Sequence, residues 1–197
     1  MIWLTLHSGS RGIGNRIGNH YIKLAQLLMG KTHISLPDRD LAYLPEETEE
    51  FHDYQRDLKW GQKFALLNRE EMMDRLITEI SYAVYGDDRK HFEVERINCH
   101  HNFTQIEHHF DNNVWVTRKG AIQARRGMKG MIPGSMGTKS YIVSGSENAM
   151  AFNSAPHGAG RRFSRAKAKQ KFTMADLERA MERSTHAWKH GLRLWSR

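Results

Sequence analysis

The sequence predicts an α+β fold, and three observations carry that prediction. Helical and strand-like stretches fall in separate blocks instead of alternating, which argues against a doubly wound sheet. Residues 46–85 repeat apolar side chains at helical spacing: Phe51, Tyr54, Leu58, Phe64, Leu67, Met72, Leu76, Ile80 and Val84. After Gly86 the texture changes to short apolar runs between turns, the pattern of mixed or antiparallel strands.

Taken in order, residues 1–6 are apolar and aromatic and predict a buried strand that delivers His7 to its end. Residues 7–15 form a glycine-rich loop. A helix follows from Ile17 to Met29, marked by Ile17, Tyr21, Leu24 and Leu28, with Gly30 as its stop. Residues 35–45 are a polar, proline-punctuated connection. Gly61 offers a division of the 46–85 stretch into two helices, and Gly86 ends it. Strands are expected at 92–98, 103–110, 114–118, 121–124 and 139–144, with a hairpin turn at Asp111-Asn-Asn113. From Ser164 the chain turns helical again, with Met174, Leu177, Ala180 and Met181 in register and Thr173 as N-cap. The four regions are therefore 1–15, 16–86, 87–165 and 166–197.

Composition narrows the function classes. Thirty Lys and Arg against 22 Asp and Glu give a formal charge of +8, which suits a polyanionic partner such as nucleic acid. A hydrophobic share of 39% is enough for a core and excludes a disordered basic tail. No apolar run approaches the roughly 18–20 residues that span a bilayer, so no membrane partner is expected. The start lacks a basic segment followed by a long apolar one, and the expected compartment is cytoplasmic. The single cysteine, Cys99, excludes an intrachain disulfide or a multi-cysteine zinc site, and it reads as a small buried residue. Twelve histidines are more informative, because neutral imidazole ligates metals and can act as a nucleophile.

Four segments concentrate Gly, His, Ser and Asn: 7–15, 98–102, 129–139 and 154–165. Glycines there allow backbone N–H groups to converge on phosphate oxygens. No P-loop or Rossmann glycine pattern occurs. His100 and His101 adjoin a strand-like run, so at most one of them points into a given site. Ser154-Ala-Pro-His157-Gly-Ala-Gly160-Arg161 places a histidine among small residues with a phosphate-pairing guanidinium close by.

These motifs resemble the RtcB-type RNA ligases. The matching runs are His7-Ser-Gly-Ser-Arg-Gly, His101-Asn102-Phe103, Arg118-Lys119-Gly120-Ala121, Ile132-Pro-Gly-Ser-Met-Gly-Thr-Lys-Ser-Tyr141 and His157-Gly-Ala-Gly-Arg161 with Ser164-Arg165. They occur in the family's order. The resemblance implies an RtcB-like fold with a long helical insertion. It also implies a GTP- and manganese-dependent ligase that joins an RNA 3′-phosphate or 2′,3′-cyclic phosphate to a 5′-hydroxyl, in tRNA splicing or RNA repair. His157 would carry GMP as a phosphoramidate, and His7 and His101 would ligate manganese. Asn102, Pro133, Gly134, Ser135, Met136, Ser140, His157, Gly158, Ala159 and Gly160 would line the guanylate site. Arg161 and Arg165 would contact the RNA backbone.

The family's N-terminal half supplies further ligands in Asp-x-Gly-Cys and Gly-Gly-Asn-His contexts, and neither motif is in this sequence. The family's Ile-Lys-Gly-like tail is also missing, since the last residues are Trp195-Ser196-Arg197. The chain therefore reads as a C-terminal ligase half, cut short and incomplete relative to the family. It is expected to work with an N-terminal half or to self-associate through Trp3, Leu4, Leu6, Trp188, Leu192, Leu194 and Trp195. The alternatives are a catalytically incomplete RNA-binding fragment and one half of a split ligase.

Overall fold

A computed structural model describes residues 3–87, 93–135, 138–158, 160 and 162–181. It combines helices with small antiparallel sheets, an α+β arrangement. The chain divides into two compact units, Met1–Thr104 and Gln105–Arg197.

The first unit is built on two helices, α1 (Ile13–Lys31) and α2 (Glu49–Tyr85). Helix α1 starts inside the glycine-rich segment, four residues before the expected Ile17. The Ser10 hydroxyl accepts from the Gly14 amide at 2.9 Å, and Gly12 takes the left-handed conformation at the turn of entry (φ 94°). Gly30 does not stop the helix. The Thr32 hydroxyl donates to the Leu28 carbonyl at 2.9 Å and closes it two residues later. Tyr21, Ala25 and Met29, spaced at four, form its buried face. Burying each larger apolar side chain contributes on the order of 1.5–3 kcal/mol.

Helix α2 runs 37 residues without a break, so Gly61 does not divide it. A Cβ at Gly61 would lie 3.4 Å from Ile17 Cδ1, which marks this glycine as a point of close approach between α1 and α2. Thr48 caps the start by accepting from the Phe51 amide at 3.2 Å, and Glu49 and Glu50 complement the helix dipole. Gly86, left-handed at φ 68°, ends the helix as expected. Phe51, Gly61 and Ala65 are buried, but Leu67 and Val84 are 55% and 60% exposed. The apolar stripe is thus core only in its first half.

Two expected strands are absent among the described residues. Residues 3–9 are irregular, with Trp3 exposed and Leu4 and Leu6 half-buried. They have strand-like alternation but no ladder, and a strand exists only through its partner. Residues 93–98 are also irregular. Arg96 pairs with Glu70 at 2.7 Å and Asp74 at 2.6 Å, and this fastens the segment to α2 instead of to a sheet.

Six strands follow. β1 (Asn102–His109) carries the chain into the second unit and pairs with β2 (Asn112–Lys119). Their turn lies at Phe110 and Asp111, both at positive φ, slightly ahead of the expected Asp111-Asn-Asn113. β3 (Ala121–Gln123) pairs with β6 (Ser154–Pro156), and β4 (Lys129–Ile132) with β5 (Tyr141–Ser144), both antiparallel. The sequence reading missed β4 and β6, which fall in the 129–139 and 154–165 segments it singled out as Gly-, Ser- and His-rich. Ile122, 1% exposed, is the centre of this unit. A Cβ at Gly130 would fall 2.5 Å from its Cδ1, so the Ile122 side chain packs directly over this glycine.

The single C-terminal helix expected at 166–197 is instead two short helices over the described part, α3 (Arg165–Lys171) and α4 (Met174–Met181). Thr173 separates them. Its hydroxyl accepts from the Asp176 amide, and Asp176 accepts from the Thr173 amide in return. Trp188, Leu192, Leu194 and Trp195 lie outside the described residues. No helix among those described is long and apolar enough to cross a membrane.

Candidate functional site

In the first unit, His7 and His101 meet edge to face, with ring centroids 4.9 Å apart. Their nearest ligand nitrogens lie within 4.8 Å of one another. Neither residue sits on a strand; both are in loops that lie on α2. Arg69 of α2 ties those loops together. It donates from Nη1 to the Ser8 carbonyl at 3.3 Å and from Nε to Asn98 Oδ1 at 2.6 Å. Asn68 donates to the Ser8 hydroxyl at 3.1 Å, and Asn98 donates to Glu70. The neighbouring histidine faces elsewhere: His100 packs on Phe103 at 5.9 Å. Burial, and then the Arg69 charge, lower the His100 pKa and keep that ring neutral at neutral pH. Cys99 is partly exposed, not buried as expected, because its loop has no ladder to cover it. Two close imidazoles are a donor set that suits manganese and other first-row divalent ions.

In the second unit, His157 directly follows β6. Its amide donates to the Gly120 carbonyl at 2.9 Å, and Nδ1 bonds the Met131 carbonyl of β4 at 3.0 Å. A carbonyl only accepts, so Nδ1 carries the proton and the neutral ring keeps its lone pair on Nε2. The strand pairing explains why the sequence folds this way. β6 lies against β3, and β4 presents Met131 on its way to Pro133.

The loop after β4 holds Pro133, Gly134 and Ser135. The Gly134 amide donates to Ser140 Oγ at 3.1 Å and the Ser135 amide to Thr138 Oγ1 at 2.7 Å. Both expected phosphate donors are therefore committed within the loop. A Cβ at Gly134 would fall 2.3 Å from the Lys139 carbonyl oxygen, so only glycine fits this turn. The Gly158 Cβ position lies 3.9 Å from the Pro133 carbonyl, which brings the loop after His157 beside the loop after β4. Gly158 and Gly160 both take positive φ. A cavity of about 270 Å³ between the sheets is lined by Ile122, Ile132, Val143 and Pro156, and by none of the expected guanylate residues. The chemistry gathers at the loops beside it.

The second unit also holds a buried ionic network that sequence reasoning missed. Arg118 of β2 and Glu107 of β1 pair through both guanidinium nitrogens, with side chains 1% and 0% exposed. Arg118 also donates to Ser154 Oγ at 2.9 Å and to the Phe152 carbonyl at 2.8 Å, holding the approach to β6. Burial alone would raise the Glu107 pKa, but hydrogen bonds from Arg118, His109 and Gln105 outweigh it and hold the carboxyl at about 2. The alternation of β1, with Glu107 and His109 on one face beside Phe103, was the available signal.

Of the expected residues, His7 and His101 converge in the first unit, where Asn102 stands exposed at the head of β1. Pro133, Gly134, Ser135, Ser140, His157 and Gly158 gather in the second, and Gly160 is exposed beyond them. Met136, Ala159 and Arg161 lie outside the described residues, as does the side chain of Arg165.

A family model described as tRNA-splicing ligase RtcB matches residues 1–191. The chain is 51% identical over 181 residues to the RNA-splicing ligase RtcB of Escherichia coli K12, covering 91% of this chain and 44% of that relative. It is 34% identical over 200 residues to the tRNA-splicing ligase RtcB of Methanococcus maripaludis, covering 91% and 42%. It is 33% identical over 196 residues to the protein of that name from Methanocaldococcus jannaschii, covering 89% and 20%. The chain spans less than half the length of these curated relatives.

Proposed function

The chain belongs to the RtcB tRNA-splicing ligase family, and from that premise we propose that it acts in GTP-dependent joining of RNA ends, with His157 as nucleophile. The observation that carries this reading is the hydrogen bond from His157 Nδ1 to the Met131 carbonyl. It fixes the tautomer in which Nε2 is nucleophilic, and the carbonyl stabilises the positive ring formed by attack.

His157 Nε2 attacks the α-phosphorus of GTP; a P–N bond forms, the bond to the β-phosphate oxygen breaks, and pyrophosphate leaves. An RNA 3′-phosphate oxygen then attacks the same phosphorus, and the P–N electron pair returns to Nε2. In the last step a 5′-hydroxyl attacks the RNA phosphorus, releases its proton and displaces GMP. A 2′,3′-cyclic end enters after water opens it to the 3′-phosphate. Nδ1 keeps its proton throughout. Pro133, Gly134, Ser135, Met136, Ser140 and residues 157–160 line the guanylate, with nucleotide oxygens exchanging for the Ser140 and Thr138 hydroxyls. Asn102 belongs to the same expected set. His7 and His101 would hold manganese, which when bound would supply positive charge toward phosphate oxygens. We place the reaction in the cytoplasm, where GTP and tRNA meet.

The test is incubation of the full chain with α-phosphate-labelled GTP and manganese. An acid-labile covalent label is expected, and His157→Ala should abolish it with circular dichroism unchanged. A label that persists in that variant moves the nucleophile elsewhere. In a second reading another chain supplies further metal ligands beside the two imidazoles. Label that forms only after an N-terminal ligase half is added supports it. RNA retention with no label under either condition supports a binding fragment.

A further inference from the structure

The long helix α2 has so far supplied only core and solvated charge, yet one of its turns reaches both loops that carry the imidazoles. His7 precedes Ser8, whose carbonyl accepts from Arg69 Nη1. His101 follows Asn98 by three residues, and Asn98 Oδ1 accepts from Arg69 Nε. One guanidinium therefore joins positions 61 and 29 residues away along the chain. Its neighbours repeat the pattern: Asn68 holds the Ser8 hydroxyl, and Glu70 takes the Asn98 amide.

The need for such a bridge follows from the backbone. The 3–9 segment enters no ladder, while His101 stands just before β1 begins at Asn102, so no shared sheet register sets the spacing of His7 from His101. The Arg69 bonds tie the two loops to one point on α2. Arg69 accepts a cost in doing so. Its third nitrogen, Nη2, is buried without a hydrogen-bond partner among the described residues. A residue present only to stabilise α2 would shed that burden, since a shorter side chain on a helix avoids an unmet buried donor.

We propose that Arg69 is the positioning residue of the imidazole pair, setting the His7–His101 spacing by bridging their two loops and thereby setting divalent-cation affinity. The cation part rests on the reading of His7 and His101 as manganese ligands; the spacing part does not. Groups that orient metal ligands typically change metal affinity 10- to 100-fold when removed. Lysine cannot substitute fully, because a single ammonium lacks the rigid fork that reaches two acceptors in fixed directions.

The experiment has two arms on the full chain. In the first, free manganese is followed by electron paramagnetic resonance for wild type, His7→Ala, Arg69→Ala, Arg69→Lys and Asn98→Ala. Arg69→Ala should weaken binding about 10-fold or more, with Arg69→Lys in between and the helical circular dichroism retained. In the second, nuclear Overhauser contacts between the His7 and His101 rings are measured without metal. They should be present in wild type and lost in Arg69→Ala. Manganese affinity indifferent to His7→Ala overturns the ligand reading alone. Ring contacts that survive in a folded Arg69→Ala chain overturn the positioning role, whatever the metal does.

Discussion

The two units hold their histidines by opposite means. His7 and His101 sit in loops, and side chains of one helix turn, Asn68, Arg69 and Glu70, bond to both of those loops. His157 sits at a strand end, where its own amide and ring bond backbone carbonyls of Gly120 and Met131. The Arg118–Glu107 pair of the same unit is sealed from water, with Arg118 bonded to Ser154 of β6. A side-chain tie can be removed one residue at a time. A backbone tie survives most substitutions, but it depends on the packing that keeps the strands in register. The first unit should therefore respond to mutation locally, and the second cooperatively.

The largest stability effect is expected where the second unit has a buried charge. Arg118→Ala strands Glu107 without its partner and should cost about 3–5 kcal/mol, read as a shifted urea midpoint. Replacing both residues, Arg118→Met with Glu107→Leu, should recover much of that loss. If the single substitution is nearly neutral, the two units do not differ as described. Acid probes the same pair without mutation. The folded Glu107 pKa, about 2, lies below its ordinary 4.5. Its contribution is therefore complete above pH 4.5 and is lost as the pH falls toward 2. That span corresponds to about 3 kcal/mol, and Glu107→Gln should flatten this part of the stability profile.

Next comes Gly134→Ala. The new methyl would press on the Lys139 and Thr138 carbonyl oxygens at 2.3 and 2.7 Å. Both are backbone atoms that cannot swing away, so a penalty of about 1–3 kcal/mol is expected, together with reduced guanylate labelling. The smallest effect belongs to the first unit. Tyr21 donates to Asp57 at 2.8 Å, and burial followed by that bond pushes its pKa up to about 12. Tyr21→Phe should cost only about 1 kcal/mol by thermal melting. A loss as large as that of Arg118→Ala would erase the contrast.

The sequence reveals most where pattern and geometry share a length scale. The 46–85 periodicity yields α2, and the runs at 103–110 and 114–118 yield β1 and β2 nearly to the residue. It reveals less where a feature depends on what lies opposite. The apolar 1–6 run has no ladder over its described part, and Val94 and Ile97 belong to a segment claimed by the Arg96 ion pairs. Gly61 has the composition of a break but the role of a contact. The histidines and glycines of the expected site stand out because their chemistry is rare. Arg69 and Arg118 do not, since one more arginine in a charged helix or an alternating strand carries no mark of its partners. Only contacts at separations such as 29, 61 or 36 residues distinguish them.

The shared anchor at Arg69 has a consequence for motion. When two parts are fixed to separate supports, every displacement of either support changes the gap between them. When both ride on one support, its displacements are common to the two and cancel in their difference. Ser8 and Asn98 ride on a single guanidinium, so tilting or sliding of α2 carries both loops together. Motion of the helix as a whole then leaves the gap between the imidazoles nearly constant.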